Sequence, residues 1–241
     1  MSLGGDPAVS SRLFVLVEGQ TEETFVNEVL APHLYQCGFV AVSARLMGNA
    51  RQRNRRGGVR GWSEVRRDIT RYLRQDASLI VTTLVDFYGL PHDPTNLNKV
   101  WPGRAAAGGL PFAQKAPYVE AAIAADIQQQ MGRSWNAAQF IPFVIMHEFE
   151  GLLFSDCERF AAGIAKPELT PEFQRIRDAF NSPEEINDSP LTHPSIRVLN
   201  LVPEYEKPLY GNLAALEIGF DPIRSECPHF REWLKHLETV A

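Results

Sequence analysis

The strongest constraint on the fold is a short apolar run near the start of the chain that ends in acid. Residues 13–17, with the sequence LFVLV, are apolar and mostly branched, which is typical of a strand buried on both faces. Glu18 and Gly19 follow directly, and the next residues carry apolar side chains at helical spacing, with Thr21 as the expected helix cap. A strand, a glycine turn and a helix form the first half of a βαβ unit, whose ligands bind at the carboxyl ends of the strands.

Two later segments repeat this pattern of an apolar strand that ends in acid. Residues 79–85 run into Asp86, and residues 140–146 run into a segment that contains Glu148 and Glu150. If the three strands are parallel neighbours, their acids converge at one edge of the sheet. Clustered carboxylates repel one another and need a bound cation, and all-oxygen ligands suit Mg²⁺ or Mn²⁺. The candidate catalytic residues are Glu18, Asp86, Glu148 and Glu150, of which Glu18, Asp86 and Glu148 are the candidate metal ligands.

An arginine-rich segment interrupts an otherwise acidic chain. Residues 51–74 contain nine arginines and two acids, whereas the whole chain has a net charge of −5. The first half is predicted as a glycine-containing loop, and residues 63–74 are predicted as a helix. Arginine forks bind phosphate, which favours nucleic acid or a nucleotide; a solvated helix face or an acidic protein partner is the alternative. The candidate nucleic-acid-binding residues are Arg51, Arg53, Arg55, Arg56, Arg60 and Arg66.

The rest of the composition bears on the compartment and on redox chemistry. The 241-residue chain has no uninterrupted apolar stretch of the about 18 to 20 residues that a membrane helix needs, and no signal-peptide pattern at its start. We therefore expect a soluble, cytoplasmic protein. Its three cysteines, Cys37, Cys157 and Cys227, lie far apart with no paired spacing, which indicates free thiols rather than a disulfide or a zinc site.

Prolines break the last third of the chain into short segments. Nine of the 17 prolines lie beyond residue 160, and the apolar spacing of residues 228–240 predicts a final helix. We therefore expect an α/β fold with a mostly parallel sheet flanked by helices over residues 11–158. A proline-rich helical annex over residues 159–241 is expected to pack on it.

The acidic motifs resemble those of Toprim domains, which occur in topoisomerases, primases and OLD-type nucleases. The resemblance is carried by Glu18 with the Gly-Gln-Thr-Glu that follows it, by Asp86 after a later strand, and by the acids of residues 148–150. More narrowly, the chain resembles a bacterial family of Toprim-like proteins that are often encoded beside an ATPase and are similar to the AriB effector of the PARIS phage-defence system. This narrower resemblance is carried by residues 17–23, 86–91, 147–156 and 187–190.

The resemblance implies a divalent-metal site in which Glu18 and Asp86 hold two positions. Toprim domains usually carry two aspartates separated by one residue, and here the second place is Tyr88. Asp93 or an acid of residues 148–150 compensates for the lost carboxylate, or the metal site is weak.

Together these features favour a Toprim-type, metal-dependent nuclease, a hydrolase of DNA or RNA in a bacterial defence or nucleic-acid-processing system. Magnesium held by carboxylates would neutralise charge on phosphorus and activate water, and Lys207 is a further candidate for stabilising transition-state charge. The alternative is a non-catalytic Toprim-like subunit that docks on a partner ATPase through the arginine-rich segment. A nucleotide-dependent phosphotransferase is disfavoured because the chain has no GxGxxG or Walker loop. The sequence leaves the substrate strand, the number of metal ions and the oligomeric state open.

Overall fold

The centre of the fold is a parallel β-sheet. The computed structural model describes residues 11–47, 60–93, 95–96, 98–187 and 192–241. The strands are β1 (Arg12–Val17), β2 (Ala41–Leu46), β3 (Leu79–Asp86), β4 (Phe140–Ile141) and β5 (Val144–Ile145). Their order is β2-β1-β3-β4, with β5 also paired to β3, and each of these described pairs is parallel. The prediction of a mostly parallel sheet is confirmed.

Strand β1 is buried on both faces, as its apolar run predicts. Leu13, Val15 and Val17 enter one core and Leu16 enters the other, because successive side chains of a strand point to opposite faces. Strands β2 and β3 flank it on either side. The carboxyl ends of β1 and β3 therefore lie next to each other at one edge of the sheet.

Pro142 divides the last predicted strand into two. The apolar run of residues 140–146 forms β4 and β5, of two residues each, on either side of Pro142 and Phe143. Proline has no N–H for the ladder, so regular pairing stops there. The Thr83 hydroxyl takes over this pairing: it accepts from Phe143 N and donates to Phe143 O, each at 2.9 Å.

Helices cover both faces of the sheet. Helices α3 (Trp62–Gln75) and α5 (Phe112–Met131) pack on one face, where Ile69, Val119 and Ile123 are fully buried. Their apolar residues recur at helical spacing, which gives each helix one buried stripe. The predicted helix over residues 63–74 is thereby confirmed, one residue longer at each end.

A helical segment that follows β1 covers the opposite face, together with the last helix of the chain. Helix α1 (Gln20–Thr24), a π-helical stretch (Phe25–Leu30) and α2 (Ala31–Cys37) follow one another without a break. Gly38 ends the segment at φ 122°, a conformation that favours glycine. The last helix, α12 (Pro228–Val240), buries its apolar stripe in the same core.

The remaining helical elements are short. They are α4 (Arg104–Ala107), α6 (Glu150–Leu153), α7 (Cys157–Gly163), α8 (Thr170–Arg177), α9 (Pro194–Leu201), a π-helical turn (Lys207–Gly211), α10 (Asn212–Ile218) and α11 (Phe220–Glu226). Single 3₁₀ turns occur at Phe87–Gly89, Ala137–Gln139, Pro167–Leu169 and Pro183–Glu185. None of the helices in the described ranges combines the length and the apolar character needed to cross a bilayer.

The last third of the chain is helical where it is described. Residues 159–187 and 192–241 contain helices and turns without a strand, and they share one apolar core with the sheet. The ring of Trp233, for example, stacks on that of Phe143 with centroids 4.4 Å apart. The boundary between the sheet unit (11–158) and the annex (159–241) stays a prediction.

Candidate active site

The turn after β1 places two glutamates at the carboxyl edge of the sheet. Glu18 directly follows the strand, and Gly19 is the N-cap of α1. Gly19 N donates to Glu22 Oε2 at 3.1 Å, so the Glu22 side chain folds back over the turn. The prediction that Thr21 caps this helix is wrong: the helix begins before it, because Gly19 and Glu22 form the cap, and Thr21 is buried in the first turn.

Asp86, the last residue of β3, connects three parts of the chain. Its N–H donates to Glu18 Oε1 at 2.7 Å, and its Oδ1 accepts from the N–H of Phe149 at 2.9 Å. The side chain is almost completely buried. The ends of β1 and β3 and the segment after β5 therefore meet at this one aspartate, as expected for parallel strands that end at a common edge.

The ammonium group of Lys207 lies among the acids of this edge. Its Nζ is 3.2 Å from Asp86 Oδ2, 3.2 Å from Glu150 Oε2 and 3.3 Å from Glu22 Oε1. The Lys207 side chain is 34% exposed, so it enters the cluster from the solvent side. Glu150, by contrast, is fully buried, and neither of its carboxylate oxygens accepts a well-formed hydrogen bond from the described residues.

The pKa values of these groups depart strongly from their ordinary values. Burial, reinforced by the charge of Asp86, raises the pKa of Glu18 well above its usual range. Burial also raises the pKa of Asp86 to about 7, although Lys207 opposes the rise. The pKa of Glu150 is raised by burial against the same opposing lysine. Burial disfavours the charge of Lys207, but the surrounding carboxylates, led by Asp86, outweigh it and raise its pKa. Such interacting, perturbed groups are typical of functional sites.

Glu148 has a different set of partners from Glu150. Its Oε2 accepts from Ser195 N at 3.0 Å and lies 3.0 Å from His193 Nδ1, so it is tied to the start of α9. Its charge still contributes to raising the pKa of Asp86 and of Glu150. Glu148 therefore acts on the cluster through its charge, whereas Glu150 makes the direct contact with the lysine.

His147, which directly precedes Glu148, has an unusual backbone conformation. His147 has φ 61°, a left-handed conformation that is uncommon for a residue other than glycine. Its carbonyl accepts a hydrogen bond from Tyr88 N at 3.2 Å, which holds the turn. Burial, with a contribution from Lys115, lowers the pKa of His147 to about 4, so the imidazole is neutral at neutral pH.

The Toprim resemblance, which stays a prediction, implies a second aspartate at the position of Tyr88. Its hydroxyl accepts a hydrogen bond from Asn187 Nδ2, an atom that also lies 3.3 Å from His147 Nδ1. Burial raises the pKa of Tyr88, so its hydroxyl stays protonated at neutral pH. A neutral phenol does not supply the charge of a carboxylate. The part of the resemblance carried by residues 188–190 lies outside the described residues.

The predicted site residues divide into those that meet and those that do not. The acids that meet at this edge are Glu18, Asp86 and Glu150. Asp93 instead accepts hydrogen bonds from Thr95 N and Oγ1, at 2.9 and 2.8 Å, in an exposed turn. Glu22 was missed as a site residue, although its position four residues after Glu18 was a usable signal. Lys207 carried only a weak signal, because its contacts with Asp86 and Glu22 span more than a hundred residues.

The predicted nucleic-acid-binding arginines also divide into two groups. Arg60 Nη1 lies 3.0 Å from Glu64 Oε2, and Arg66 Nη1 lies 3.3 Å from Asp126 Oδ1. Both guanidinium groups are about one-third exposed, so a phosphate would compete with these carboxylates for them. The arginines that lie outside the described residues are Arg51, Arg53, Arg55 and Arg56.

Comparisons with known proteins give one family and one distant structural likeness. The family DUF4276, described as a domain of unknown function, has a model that matches residues 17–238. The C-terminal region of the Xanthomonas campestris pv. campestris OLD protein, in a structure phased with iodine, is 19% identical, with 95% of each chain covered and a TM-score of 0.44. Its mercury-phased structure is also 19% identical over 95% of each chain, with a TM-score of 0.43. None of the curated proteins matches the chain.

Proposed function

The chain belongs to the family DUF4276, and we propose from its site that it is a metal-dependent nuclease that hydrolyses phosphodiester bonds of DNA or RNA. One observation carries this proposal: carboxylates from three separate elements, Asp86, Glu22 and Glu150, face a single cation position at the carboxyl edge of a parallel sheet. Carboxylates that lie around one point repel one another, so they favour a bound positive charge there. The Toprim class and a role in bacterial defence or nucleic-acid processing are part of the proposal and derive from the motif resemblance.

The donor atoms fit a hard divalent cation. All of them are carboxylate oxygens, which suit Mg²⁺ or Mn²⁺. Glu150 Oε1 is buried and accepts no hydrogen bond from the described residues, so this oxygen is left for a ligand to satisfy. Asp86, Glu22 and Glu150 would hold the ion. Glu18 would contribute through Oε2, because its other oxygen, Oε1, accepts the hydrogen bond from Asp86 N. When bound, the ion would neutralise phosphate charge and lower the pKa of a coordinated water.

The side chains of this protein would contribute to the reaction through their positions and charges. Glu18 holds the backbone of Asp86 and so fixes the end of β3 against the end of β1. Glu148 would add negative charge to the cluster while it stays bound to the start of α9. With an ion in the place of its ammonium, Lys207 would turn outward on its exposed side, where it would donate to the phosphate oxygens on which charge develops. Arg60, Arg66 and the arginines of residues 51–56 would bind the phosphates along the strand.

The alternative function is a non-catalytic subunit that docks on a partner ATPase through the arginine-rich segment. Its support is that Lys207 already pairs with three carboxylates, so the cluster is neutralised in part without any ion. In that case the acids and the lysine would be a structural network. The arginines would then bind acidic groups of a protein.

Cleavage assays with matched variants test the nuclease. The purified chain is incubated with single-stranded and duplex DNA and RNA, with Mg²⁺, with Mn²⁺ and with chelator. We expect ion-dependent cleavage that Asp86→Asn and Glu18→Gln each reduce by about 100-fold or more. Glu172→Gln, which removes a charge from an ion pair on α8 away from these acids, should leave the rate unchanged.

Two results would contradict a nuclease site at this edge of the sheet. Cleavage that persists in both variants would show that this edge is not the site. Absence of cleavage of every substrate, together with no Mg²⁺ or Mn²⁺ binding by calorimetry, would favour the docking subunit. If the chain is a docking subunit, we expect the double variant Arg55→Glu with Arg56→Glu to abolish co-purification with the partner ATPase. A nucleic-acid affinity that does not fall with salt would remove the arginines from phosphate binding.

A further inference from the structure

A second group of ligand-type side chains lies outside the candidate active site, where α2 meets α12. His33 and Cys37 are four residues apart on α2, so they project from the same face of the helix. Glu238 faces them from α12. His33 Nε2 is 2.7 Å from Glu238 Oε1 and 3.4 Å from Cys37 Sγ, and the three ligand atoms all lie within 4.8 Å of one another.

We propose that His33, Cys37 and Glu238 form a zinc site that clamps α2 to α12. An imidazole nitrogen, a thiolate sulfur and a carboxylate oxygen are the ligand types of zinc, and three protein ligands leave a fourth position for water. Magnesium and calcium prefer oxygen ligands alone, so the mixed set disfavours them. The side chains of His33 and Glu238 are 19% and 23% exposed, so an ion can reach them from solvent.

Neighbouring side chains hold the ligands in orientation. The His33 ring stacks on Phe220 with centroids 4.3 Å apart and planes inclined by 20°. Arg224 Nη2 lies 3.0 Å from Glu238 Oε1 and 3.2 Å from Oε2. Outer contacts of this kind set the direction of metal ligands and are part of many metal sites.

Ion binding has a defined proton balance. The Cys37 thiol releases its proton to solvent, and its sulfur bonds to Zn²⁺. Burial and the charge of Glu238 raise the pKa of Cys37, so the ion has to displace that proton. His33 Nε2 carries a proton in its contact with Glu238 Oε1, so the ring takes the neutral tautomer with its proton on Nδ1, and Nε2 and Oε1 are then both free to bind the ion. One thiolate and one carboxylate then balance the two charges of zinc.

The structural alternative is a hydrogen-bonded cluster of these three side chains with Arg224 and no ion. Spectroscopy of the full chain separates the two. After removal of metal with chelator, the protein is titrated with Co²⁺ and then with Zn²⁺. We expect one Co²⁺ per chain with a thiolate-to-cobalt charge-transfer band, which Zn²⁺ removes. Cys37→Ser should abolish the band, and Glu238→Gln should weaken Co²⁺ affinity by about tenfold or more.

Control variants identify the thiol and keep this site apart from the acids around Lys207. Cys157→Ala removes a buried thiol elsewhere, and Asp86→Asn removes an acid of the candidate active site; both should keep the band. Absence of a charge-transfer band, or a band that persists in Cys37→Ser, would overturn the zinc site. Because the band does not depend on nuclease activity, failure of either proposal leaves the other to be judged separately.

Thermal unfolding gives a second readout. Because the ion links two helices, Zn²⁺ at 100-fold excess over its Kd should raise the Tm of the wild type by about 5 to 10 °C. The double variant His33→Gln with Cys37→Ser should show no such rise. An equal rise in both proteins, or none in the wild type, would count against the clamp.

Discussion

Two buried glutamates, Glu150 and Glu184, have different kinds of bonding partners. Glu184 Oε2 accepts from His229 N and its Oε1 accepts from Phe230 N, both at 2.9 Å. These N–H groups open α12, whose first residue, Pro228, has no N–H of its own. Glu184 therefore caps a helix that begins more than forty residues later, with a negative charge at the positive end of the helix dipole.

Glu150 receives much less compensation from the backbone, where only its own N–H interacts with the carboxylate. It is as deeply buried as Glu184, yet both of its oxygens lack a well-formed hydrogen bond from the described residues, and its partner is the ammonium of Lys207. Burial raises the pKa of both acids, but two backbone N–H groups oppose the rise at Glu184, whereas the ammonium of Lys207 is the main opposing group at Glu150. The contrast distinguishes a structural acid, Glu184, from an acid that the proposed function would use, Glu150.

The largest effect is expected at the structural acid. Glu184→Ala removes both acceptors of the first N–H groups of α12, so we expect the free energy of unfolding to fall by about 3 kcal/mol. Urea unfolding measures this, with Glu172→Ala on exposed α8 as a control that should cost less than about 0.5 kcal/mol. Glu184→Gln keeps one acceptor and should lose about half as much. A cost below about 1 kcal/mol for Glu184→Ala would show that water replaces the carboxylate there.

The fold was largely predictable because its signals are local. The runs that became β1 and β3 are continuous and apolar, and each ends in an acid, so a parallel sheet with acids at one edge followed from the sequence alone. The start of the first helix was mistaken at Thr21, because a cap made by Gly19 with the side chain of Glu22 resembles an ordinary threonine cap in sequence. The strand predicted at residues 140–146 is interrupted at Pro142, whose missing N–H stops the regular pairing.

The site was only partly predictable because its decisive contacts are distant in sequence. Lys207 lies in a proline-rich segment, where a lysine is normally exposed, and nothing nearby indicates that it reaches Asp86. The capping role of Glu184 depends in the same way on the path of the chain to α12. Glu148 and Glu150 are two residues apart, so on a helix their side chains point in different directions. The two glutamates contact different partners. His147, just before them, has a left-handed backbone conformation that the sequence does not reveal.

A smaller effect is expected when the cation of the functional acids is removed. Lys207→Met leaves three carboxylates without their ammonium, and we expect a loss of about 2 kcal/mol in unfolding free energy at pH 8 with chelator. This is less than breaking a fully buried ion pair costs, because the lysine is partly solvated. Lys235→Met, which breaks an exposed pair with Glu232, should cost under about 0.5 kcal/mol.

Lys207→Met also tests whether a metal ion binds at the position of the lysine ammonium. If Mg²⁺ occupies the place of the ammonium, adding it should stabilise Lys207→Met more than it stabilises the wild type. Equal stabilisation of the two proteins would place the ion elsewhere. Unchanged stability of Lys207→Met in chelator would mean that the acids of this edge do not depend on the lysine.

The smallest effect, and one of opposite sign, is expected at Glu150 itself. Because the pKa of Glu150 is raised in the folded protein, folding favours its protonated form, and its contribution to stability is lost as pH rises from its usual pKa of 4.5 through the raised value. Glu150→Gln cannot ionise, so in chelator we expect it to be more stable than the wild type by about 1 kcal/mol at pH 8, with the gain vanishing near pH 4. Urea unfolding at pH 8, 6 and 4 measures this, with Glu184→Gln as the matched variant that should be destabilised at pH 8. If Glu150→Gln is destabilised as much as Glu184→Gln, Glu150 is a structural acid too, and the lysine-centred cluster is part of the scaffold.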